Sequence, residues 1–192
     1  MRLRRLARNI AFDLRYGAFL GGEIGTRYAD AGARNVANSD YAALPHLFDQ
    51  LIDDDDVLVD VGCGKGRVLN WWLRFYPRNR LIGIELDGRV ARRTQHRLRR
   101  YPQVAVHSGN ILDVFPVEGT LFYLFNPFDG GVMRQFLEVF FRRRPQGLLK
   151  PRKILYYNCV CIDLFASDGR FRTSLIEPRG PEHSALVAAE VI

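Results

Sequence analysis

The stretch Val57-Leu58-Val59-Asp60-Val61-Gly62-Cys63-Gly64-Lys65-Gly66 decides the fold of this 192-residue chain. A short apolar strand runs into a turn in which glycine occupies every second position. Glycine lets the backbone bend sharply and approach a ligand closely. In an open parallel sheet such a turn follows the first strand, and the helix after it presents free N–H groups to the ligand. The stretch therefore predicts a strand, a ligand-binding turn and a helix of an α/β fold.

Strands and helices alternate through the rest of the chain. We predict strands at 57–61, 81–86, 104–107, 121–125, 154–160, 171–176 and 185–192, the last two joined by a turn at 178–181. Helices with one apolar face are predicted near 68–76, 90–101 and 132–140. This order predicts a three-layer α/β/α sandwich around a seven-stranded, mostly parallel sheet with an antiparallel last strand.

The N-terminal region carries a second pattern. Apolar residues recur at helical spacing from Leu3 to Leu14, and arginines occupy the other faces. We interpret this as a helix packed on the domain or lying over its site, with a membrane-surface helix or a transit peptide as alternatives. Residues 17–38 are predicted to be irregular, and a helix is predicted from Ser39 to Ile52.

Composition narrows the function classes. The net charge of +7 and the pI of about 9.7 favour anionic partners. The arginine-rich helices flank the sheet, away from the strand ends, so nucleic-acid binding has little support. Three cysteines and four histidines show no ligand spacing, so no metal site is expected. The run Asp53 to Asp56 could bind a cation, but a solvated turn is the preferred interpretation. No apolar run reaches the ~18 to 20 residues of a membrane span, so we expect no transmembrane segment and a cytoplasmic location.

Two acidic residues indicate which ligand the turn binds. A dinucleotide-binding Gly-x-Gly-x-x-Gly turn would need glycine where Arg67 stands. Asp60 would repel a pyrophosphate but attract the ammonium group of a methionine moiety. Glu85 ends the second strand about 20 residues later, where an acid accepts both ribose hydroxyls, and Leu86 can lie against an adenine face. These residues favour S-adenosylmethionine as the cofactor over NAD.

Two further motifs follow the third and fourth strands. After the third, the Asn110 amide oxygen can accept from an adenine amino group and the Ile111 N–H can donate to the ring. After the fourth, Asn126 and the Pro127 carbonyl can accept hydrogens from a planar nitrogen, while Phe128 stacks on that group or shields a sulfonium. The alternative interpretation of each motif is a plain turn.

With these residues in place, the chain resembles the class I, Rossmann-like S-adenosylmethionine-dependent methyltransferases from about Val57 to the C-terminus. The resemblance implies that Asp60 and the backbone of the glycine turn hold the methionine part, and that Glu85 binds ribose. It implies that a helix at Ser39–Ile52, with Tyr41, lies over the cofactor. The cofactor-binding residues expected in the turn are Asp60, Gly62, Cys63, Gly64 and Gly66; those expected elsewhere are Glu85, Leu86, Asn110, Ile111 and Asn126.

The resemblance also implies an activity. Residues 39–192 would form the methyltransferase domain, and residues 1–38 a basic amphipathic helix and irregular cap. The segment Asn126-Pro127-Phe128 resembles the Asn-Pro-Pro-Tyr/Phe element of nitrogen-directed members but lacks the second proline. We therefore expect Asn126, Pro127 and Phe128 to serve catalysis, with a nitrogen of a protein side chain, a small amine or an RNA base as acceptor. The alternatives are an NAD-dependent oxidoreductase and a non-catalytic nucleotide- or RNA-binding module.

Overall fold

The structure is a computed structural model that describes residues 2–22, 25, 39–178 and 183–191. The strands in these residues are β1 (Val57–Val61), β2 (Arg80–Glu85), β3 (Val104–Ser108), β4 (Leu121–Phe125), β5 (Lys153–Tyr157), β6 (Phe171–Ile176) and β7 (Ala185–Glu190). The helices are α1 (Arg2–Arg15), α2 (Leu44–Leu47), α3 (Arg67–Phe75), α4 (Gly88–Leu98), α5 (Gly130–Arg142) and α6 (Asp163–Ala166).

The seven strands form one sheet in the order β3-β2-β1-β4-β5-β7-β6. The first five strands in this order run parallel, and β7 runs antiparallel to both β5 and β6. The predicted sheet with its antiparallel last strand is therefore confirmed. The chain steps outward from β1 to β3 and then returns to place β4 on the other side of β1. Ligands of such sheets bind at this reversal, outside the carboxyl ends of β1 and β4.

Each face of the sheet has its own apolar core, because successive side chains of a strand point to opposite faces. Leu58 of β1 packs with Trp72 of α3 and Leu98 of α4 on one face. Val59, the next residue, packs with Phe136 of α5 and Phe165 of α6 on the other. The three predicted layers are thus helices, sheet and helices, with β1 and β4 buried between them.

The helix predicted from Ser39 to Ile52 is wrong in extent, because only Leu44–Leu47 is helical. Pro45 stands in the first turn of that helix, where its missing N–H and fixed φ are tolerated. Gln50 has a φ of 54° and cannot continue a helix. Apolar spacing alone therefore overestimated the helix by nearly three turns.

The fifth strand also ends earlier than predicted, at Tyr157 instead of Val160. Asn158 has a left-handed φ of 54°, which turns the chain out of the sheet. The short helix α6, which the sequence pattern did not indicate, follows this turn. Part of the turn predicted at 178–181 and most of the irregular segment predicted at 17–38 lie outside the described residues.

The acidic turn before β1 is neutralised by lysines. Lys150 Nζ lies 2.7 Å from Asp55 and from Asp56, and Lys153 Nζ lies 3.2 Å from Asp53. Burial alone would raise the pKa of Asp56, but hydrogen bonds from Lys150 and Thr120 lower it overall. These ion pairs thus hold the residues before β1 against the start of β5. No helix in the described part of the chain has the length and apolar character of a membrane span.

Candidate functional site

The glycine turn is tied to the end of β2 by main-chain hydrogen bonds. The N–H groups of Gly62 and Cys63 both donate to the carbonyl of Ile84, each at 2.9 Å. The Gly64 N–H donates to Glu85 Oε2 at 2.8 Å. The turn therefore brings the backbone of the first motif and the carboxylate of the second into direct contact at one edge of the sheet.

Two of the glycines stand where a side chain would not fit. A Cβ at Gly62 would lie 3.1 Å from Pro127 Cβ, and one at Gly66 would lie 2.8 Å from Thr94 Cγ2. Both glycines also have a φ of 78°, which disfavours any other residue. Gly62 thus places the turn after β1 against the Asn-Pro segment after β4, and Gly66 seats the start of α3 against α4.

Asp60 is a buried carboxyl at the end of β1. It is 3% exposed, and no hydrogen bond reaches it from the described residues. Burial, and then the charge of Glu85, raise the pKa of Asp60 to about 8. A carboxyl of this kind gains most from a cationic partner, because a positive charge would compensate its lost hydration.

Glu85 is also buried but is hydrogen bonded on both oxygens. The Asp87 N–H donates to Glu85 Oε1 and the Gly64 N–H to Oε2, both at 2.8 Å. Burial raises the pKa of Glu85, and these backbone donors oppose the rise. Each carboxylate oxygen keeps a second lone pair, so the side chain is held in one orientation and can still accept hydroxyl hydrogens.

The third motif lies beside the second. The Gly109 N–H donates to the Glu85 carbonyl at 3.0 Å, which joins the turn after β3 to the end of β2. The Asn110 side-chain oxygen accepts from the Leu112 N–H at 3.0 Å, which uses one of its lone pairs. Ile111 is buried, and its N–H has no acceptor among the described residues. The third motif thus leaves one donor and one lone pair for a ligand, while Leu86 next to Glu85 is half-buried.

The fourth motif is built around a strained asparagine. Asn126 is buried with a φ of 44°, and its Oδ1 accepts from the Tyr156 hydroxyl at 3.1 Å. Backbone strain of this kind persists only where neighbouring contacts enforce it, and it is frequent at functional sites. The Tyr156 hydroxyl itself accepts from the Cys161 N–H, so its position is fixed and it orients the Asn126 side-chain amide.

Phe128 does not take the position expected of it. The ring is 6% exposed and packs against Phe136 of α5, with a centroid distance of 5.7 Å. The ring therefore belongs to the core on the α5 face and does not stand over an acceptor group. The missing second proline of the motif is consistent with this, since the aromatic residue comes one position early.

Tyr41 is likewise not where the resemblance places it. Its hydroxyl donates to Asp13 Oδ1 at 2.9 Å and accepts from Asn70 Nδ2 at 3.2 Å. Burial raises the pKa of Tyr41 strongly. The ring is thus part of the interior between α1 and α3 instead of a cover for a ligand.

Sequence reasoning missed the network that surrounds Tyr41. Arg67, the first residue of α3, donates from Nη2 to Asp13 Oδ2 at 2.7 Å and from Nε to Asp13 Oδ1 at 3.2 Å. Both side chains are almost fully buried. An acid in a basic helix and an arginine at a glycine turn give no local signal of contact, because 54 residues separate them.

Lys65 and Arg97 connect the same turn to the residues after α1. Lys65 Nζ donates to the carbonyls of Leu20, Gly21 and Gly22, at 3.1, 2.7 and 2.7 Å. Arg97 donates to the Lys65 carbonyl at 2.7 Å and to the Tyr16 carbonyl at 2.9 Å. Arg97 is half-buried and holds the N-terminal segment against the turn.

These residues fit S-adenosylmethionine. The buried Asp60 carboxyl suits an ammonium group, and the Gly62 and Gly64 positions give the backbone close access to a ligand. Glu85 suits a pair of hydroxyls, and the Ile111 N–H suits a ring nitrogen. The set contains no cationic side chain to compensate the charge of a pyrophosphate, and the ionised forms of Asp60 and Glu85 would repel it.

Comparisons with known proteins agree with this chemistry. A family model described as a methyltransferase domain matches residues 59–155, which is half of the chain. The chain is 32% identical over 102 residues to the O-methyltransferase penK of Penicillium thymicola. That match covers 53% of this chain but only 24% of the relative, so the chain spans about a quarter of the length of that curated protein.

Solved structures share the fold at low sequence identity. A cofactor-bound protein, Rv0187 from MTB, superposes with a TM-score of 0.64 at 14% identity, over 96% of this chain and 89% of that one. An RNA methyltransferase from Salinibacter ruber in complex with S-adenosyl-L-homocysteine gives a TM-score of 0.60 at 16% identity, over 79% of this chain and 92% of that one. At these identities the superpositions show a common architecture.

Proposed function

Since this chain belongs to the family of Rossmann-like S-adenosylmethionine-dependent methyltransferases, we propose that it transfers the methyl group of that cofactor to a small or macromolecular acceptor. One observation carries the proposal. At the carboxyl ends of β1 and β2, the glycine turn, the buried Asp60 and the doubly hydrogen-bonded Glu85 lie together, and the Gly64 N–H donates to the Glu85 carboxylate. When bound, S-adenosylmethionine supplies a methyl group attached to a sulfonium sulfur. That sulfur is the leaving group, because loss of the methyl group converts it to a neutral thioether.

The protein's own task is to bind, orient and exclude water. Asp60 would pair with the ammonium group, and Glu85 would accept the ribose hydroxyls. The backbone of Gly62, Cys63, Gly64 and Gly66 would enclose the methionine part, and Asn110 with Ile111 would bind adenine. Leu86 would line the adenine face. Such positioning is the main contribution available to an enzyme whose cofactor already carries a good leaving group.

Acceptor positioning is assigned to Asn126 and Pro127. Pro127 lies against Gly62, beside the position proposed for the methionine part, and its carbonyl accepts no hydrogen bond from the described residues. Asn126 Oδ1 keeps one lone pair beyond the bond from Tyr156. Both groups would accept hydrogens from the acceptor and aim its lone pair. Phe128 is left out of this role because its ring packs against Phe136 in the core on the α5 face.

The acceptor atom is then one that carries hydrogens, as an amine, amide or hydroxyl does. A nitrogen was expected from the Asn-Pro-Phe motif, but the aromatic residue of that motif, Phe128, packs in the core against Phe136. The relative from Penicillium thymicola is named an O-methyltransferase. We therefore propose a hydroxyl acceptor first, with a nitrogen as the second candidate.

Residues 39–192 would constitute the catalytic domain in this proposal. Residues 1–38 would act as a cap, held to the glycine turn by Asp13, Lys65 and Arg97. An NAD-dependent oxidoreductase is disfavoured because Asp60 is buried beside the turn and Arg67 is used to anchor α1.

A calorimetric titration tests the cofactor assignment. S-adenosylhomocysteine is expected to bind the purified protein with a dissociation constant of micromolar order, about 8 kcal/mol, and NADH to give no heat. The converse result, or heat from neither ligand, would contradict the proposal.

The acceptor is tested by transfer of a tritiated methyl group into fractionated cell extract. The labelled bond is expected to be an ether rather than an amine, and protease and nuclease treatment shows whether the labelled acceptor is a small molecule, a protein or an RNA. Label confined to protein or RNA, on nitrogen, would favour the second candidate. The Asn126→Ala variant should bind S-adenosylhomocysteine normally and transfer no label.

A further inference from the structure

Helix α1 contacts the domain through two charged and two aromatic residues, and most of its aliphatic residues lie on another side of the helix. Asp13 is fully buried in its contact with Arg67, and Arg5 pairs with Asp40 of the domain. Phe12 and Tyr16, on the same side, pack on Tyr41 and Tyr101. The residues that hold α1 in place therefore lie on one narrow strip of the helix.

The opposite surface of α1 is apolar and exposed. At 100° per residue, Leu6, Ala7, Ile10, Ala11 and Leu14 occupy one continuous stripe. Leu6 is 51% exposed and Leu14 is 58% exposed, and both alanines are exposed as well. We define this stripe, residues 6, 7, 10, 11 and 14, as the outer stripe of α1. Apolar residues on a helix normally face the core, but four of these five side chains are exposed, and Ile10, which is half-buried, packs against neither apolar core.

Arginines border the outer stripe. Arg4, Arg8 and Arg15 follow it directly around the helix, and all three are exposed. The sole acid of α1, Asp13, is buried and neutralised by Arg67, so no negative charge is left on the outer surface. The outer surface of α1 thus combines a continuous apolar stripe with a purely basic edge.

We propose that α1 binds the surface of an anionic lipid bilayer with its outer stripe. A helix that lies in the interface inserts its apolar face between the lipids, and flanking arginines contact the anionic headgroups. The 14-residue helix meets this requirement without spanning the bilayer. The proposal is independent of the methyl-transfer reaction, because Asp13, Tyr16 and residues 20–22, which hold the N-terminal segment to the glycine turn, are not part of the outer stripe.

A lipid surface is favoured over the other occupants by charge and shape together. A second copy of the chain would bring the same arginines against one another, which costs energy. An RNA would engage the arginines but gain nothing from two exposed leucines, because phosphate contacts dominate such interfaces. A bilayer that carries negative headgroups uses both the stripe and its basic edge.

Sedimentation with vesicles tests the proposal on the full chain. The protein is mixed with vesicles of phosphatidylcholine alone, or with roughly one third phosphatidylglycerol added to give a negative surface. Binding is expected only to the anionic vesicles and should fall as salt is raised. The Leu6→Ser/Leu14→Ser double variant is expected to reduce the partition coefficient by about tenfold or more, since two apolar side chains no longer insert.

Matched variants separate the stripe from general surface effects. Leu149 and Leu175 are exposed leucines outside α1, at 90% and 55% exposure. Their double serine variant should bind as the parent does. Arg4→Glu/Arg8→Glu should abolish binding, whereas Arg78→Glu/Arg172→Glu changes the net charge equally and should lower binding only slightly.

Three results would overturn the proposal. The first is equal sedimentation with neutral and anionic vesicles, or none with either. The second is equal binding by the two leucine double variants. The third is an absence of vesicle binding together with evidence of another partner. That evidence would be a parent dimer that Leu6→Ser/Leu14→Ser converts to a monomer, or tight binding to an RNA hairpin. Unchanged thermal unfolding of the variants would show that each comparison concerns folded protein.

Discussion

At the scale of single residues, two buried acids define the candidate site and differ in how they are held. Glu85 is fixed by two backbone N–H donors, whereas Asp60 has no hydrogen bond from the described residues. Both lie at the ends of neighbouring strands, and both have a raised pKa because burial disfavours the charged form. This difference gives each residue its own test.

Replacing Glu85 with glutamine should weaken cofactor binding. The variant keeps the size of the side chain but has one acceptor oxygen where Glu85 has two. We expect the affinity for S-adenosylhomocysteine to fall by about 1.5 to 3 kcal/mol, the scale of hydrogen bonds to a charged group, as measured by calorimetry. Glu138→Gln, an exposed change on α5, is the control and should bind normally. Equal affinity of the two variants would show that the ribose site is elsewhere.

Asp60 should make the ligand-free protein less stable as the pH rises. Its pKa is about 8 in the fold and near 3.8 in an unfolded chain. The folded state therefore holds the proton over that window, and its stabilisation is present at low pH and lost as the pH approaches 8, by at most about 1.4 kcal/mol per pH unit. Urea unfolding of Asp60→Asn should lack this part of the slope, while Asp49→Asn, at an exposed site, should keep it. Parallel pH profiles for the parent and Asp60→Asn would contradict the assignment.

At the scale of elements, the attachment of α1 shows why local patterns fail. Apolar spacing from Leu3 to Leu14 predicts a helix, and that helix is present as α1. The same spacing suggests that the leucines face the domain, but Asp13 is the fully buried residue and Leu14 the exposed one. The reason is an ion pair between residues far apart in the chain, which no periodicity within the helix can indicate.

Asp13→Asn should destabilise the whole protein. The variant would leave the Arg67 guanidinium, whose side chain is 9% exposed, without its charged partner. The loss of one member of a buried pair costs about 3 to 5 kcal/mol, because the remaining charge stays desolvated. Urea unfolding measures the effect, with the exposed Asp49→Asn as control. A loss below about 1 kcal/mol, the value of a surface ion pair, would mean that water reaches Arg67.

At the scale of the whole molecule, the α/β/α architecture was predictable. The alternation of strands and helices can be read from local sequence, and alternating elements pack as a parallel sheet covered by helices on both faces. The glycine turn and Glu85 were predictable as neighbours, since strand ends of a parallel sheet meet at one edge. The buried Arg152 was not. It packs on Phe140 and donates to Glu190 from the last strand, although arginine alone predicts a surface position. Such contacts arise only when distant strands are paired.

Because Asp60 is expected both to titrate near pH 8 and to bind the ligand's ammonium group, ligand-induced stabilisation of the protein should depend on pH. At a concentration 100 times the dissociation constant, a ligand adds about 2.7 kcal/mol of stability, or roughly 5 to 10 °C in the melting temperature. S-adenosylhomocysteine carries an ammonium group that would pair with ionised Asp60, so binding below pH 8 must first expel the proton from that carboxyl. At a fixed ligand concentration, the shift in melting temperature should therefore be larger near pH 8 than near pH 6.

Methylthioadenosine supplies the matched control for this measurement, because it keeps the nucleoside and lacks the amino acid. Glu85 and Ile111 would bind it as they bind the larger ligand, while Asp60 would have no ammonium to pair with. Its shift in melting temperature should stay nearly constant between the two pH values in the parent, and S-adenosylhomocysteine should behave in the same flat way in Asp60→Asn. If both ligands show the same pH dependence in the parent, Asp60 does not face the methionine part, and the ammonium must be held by another group.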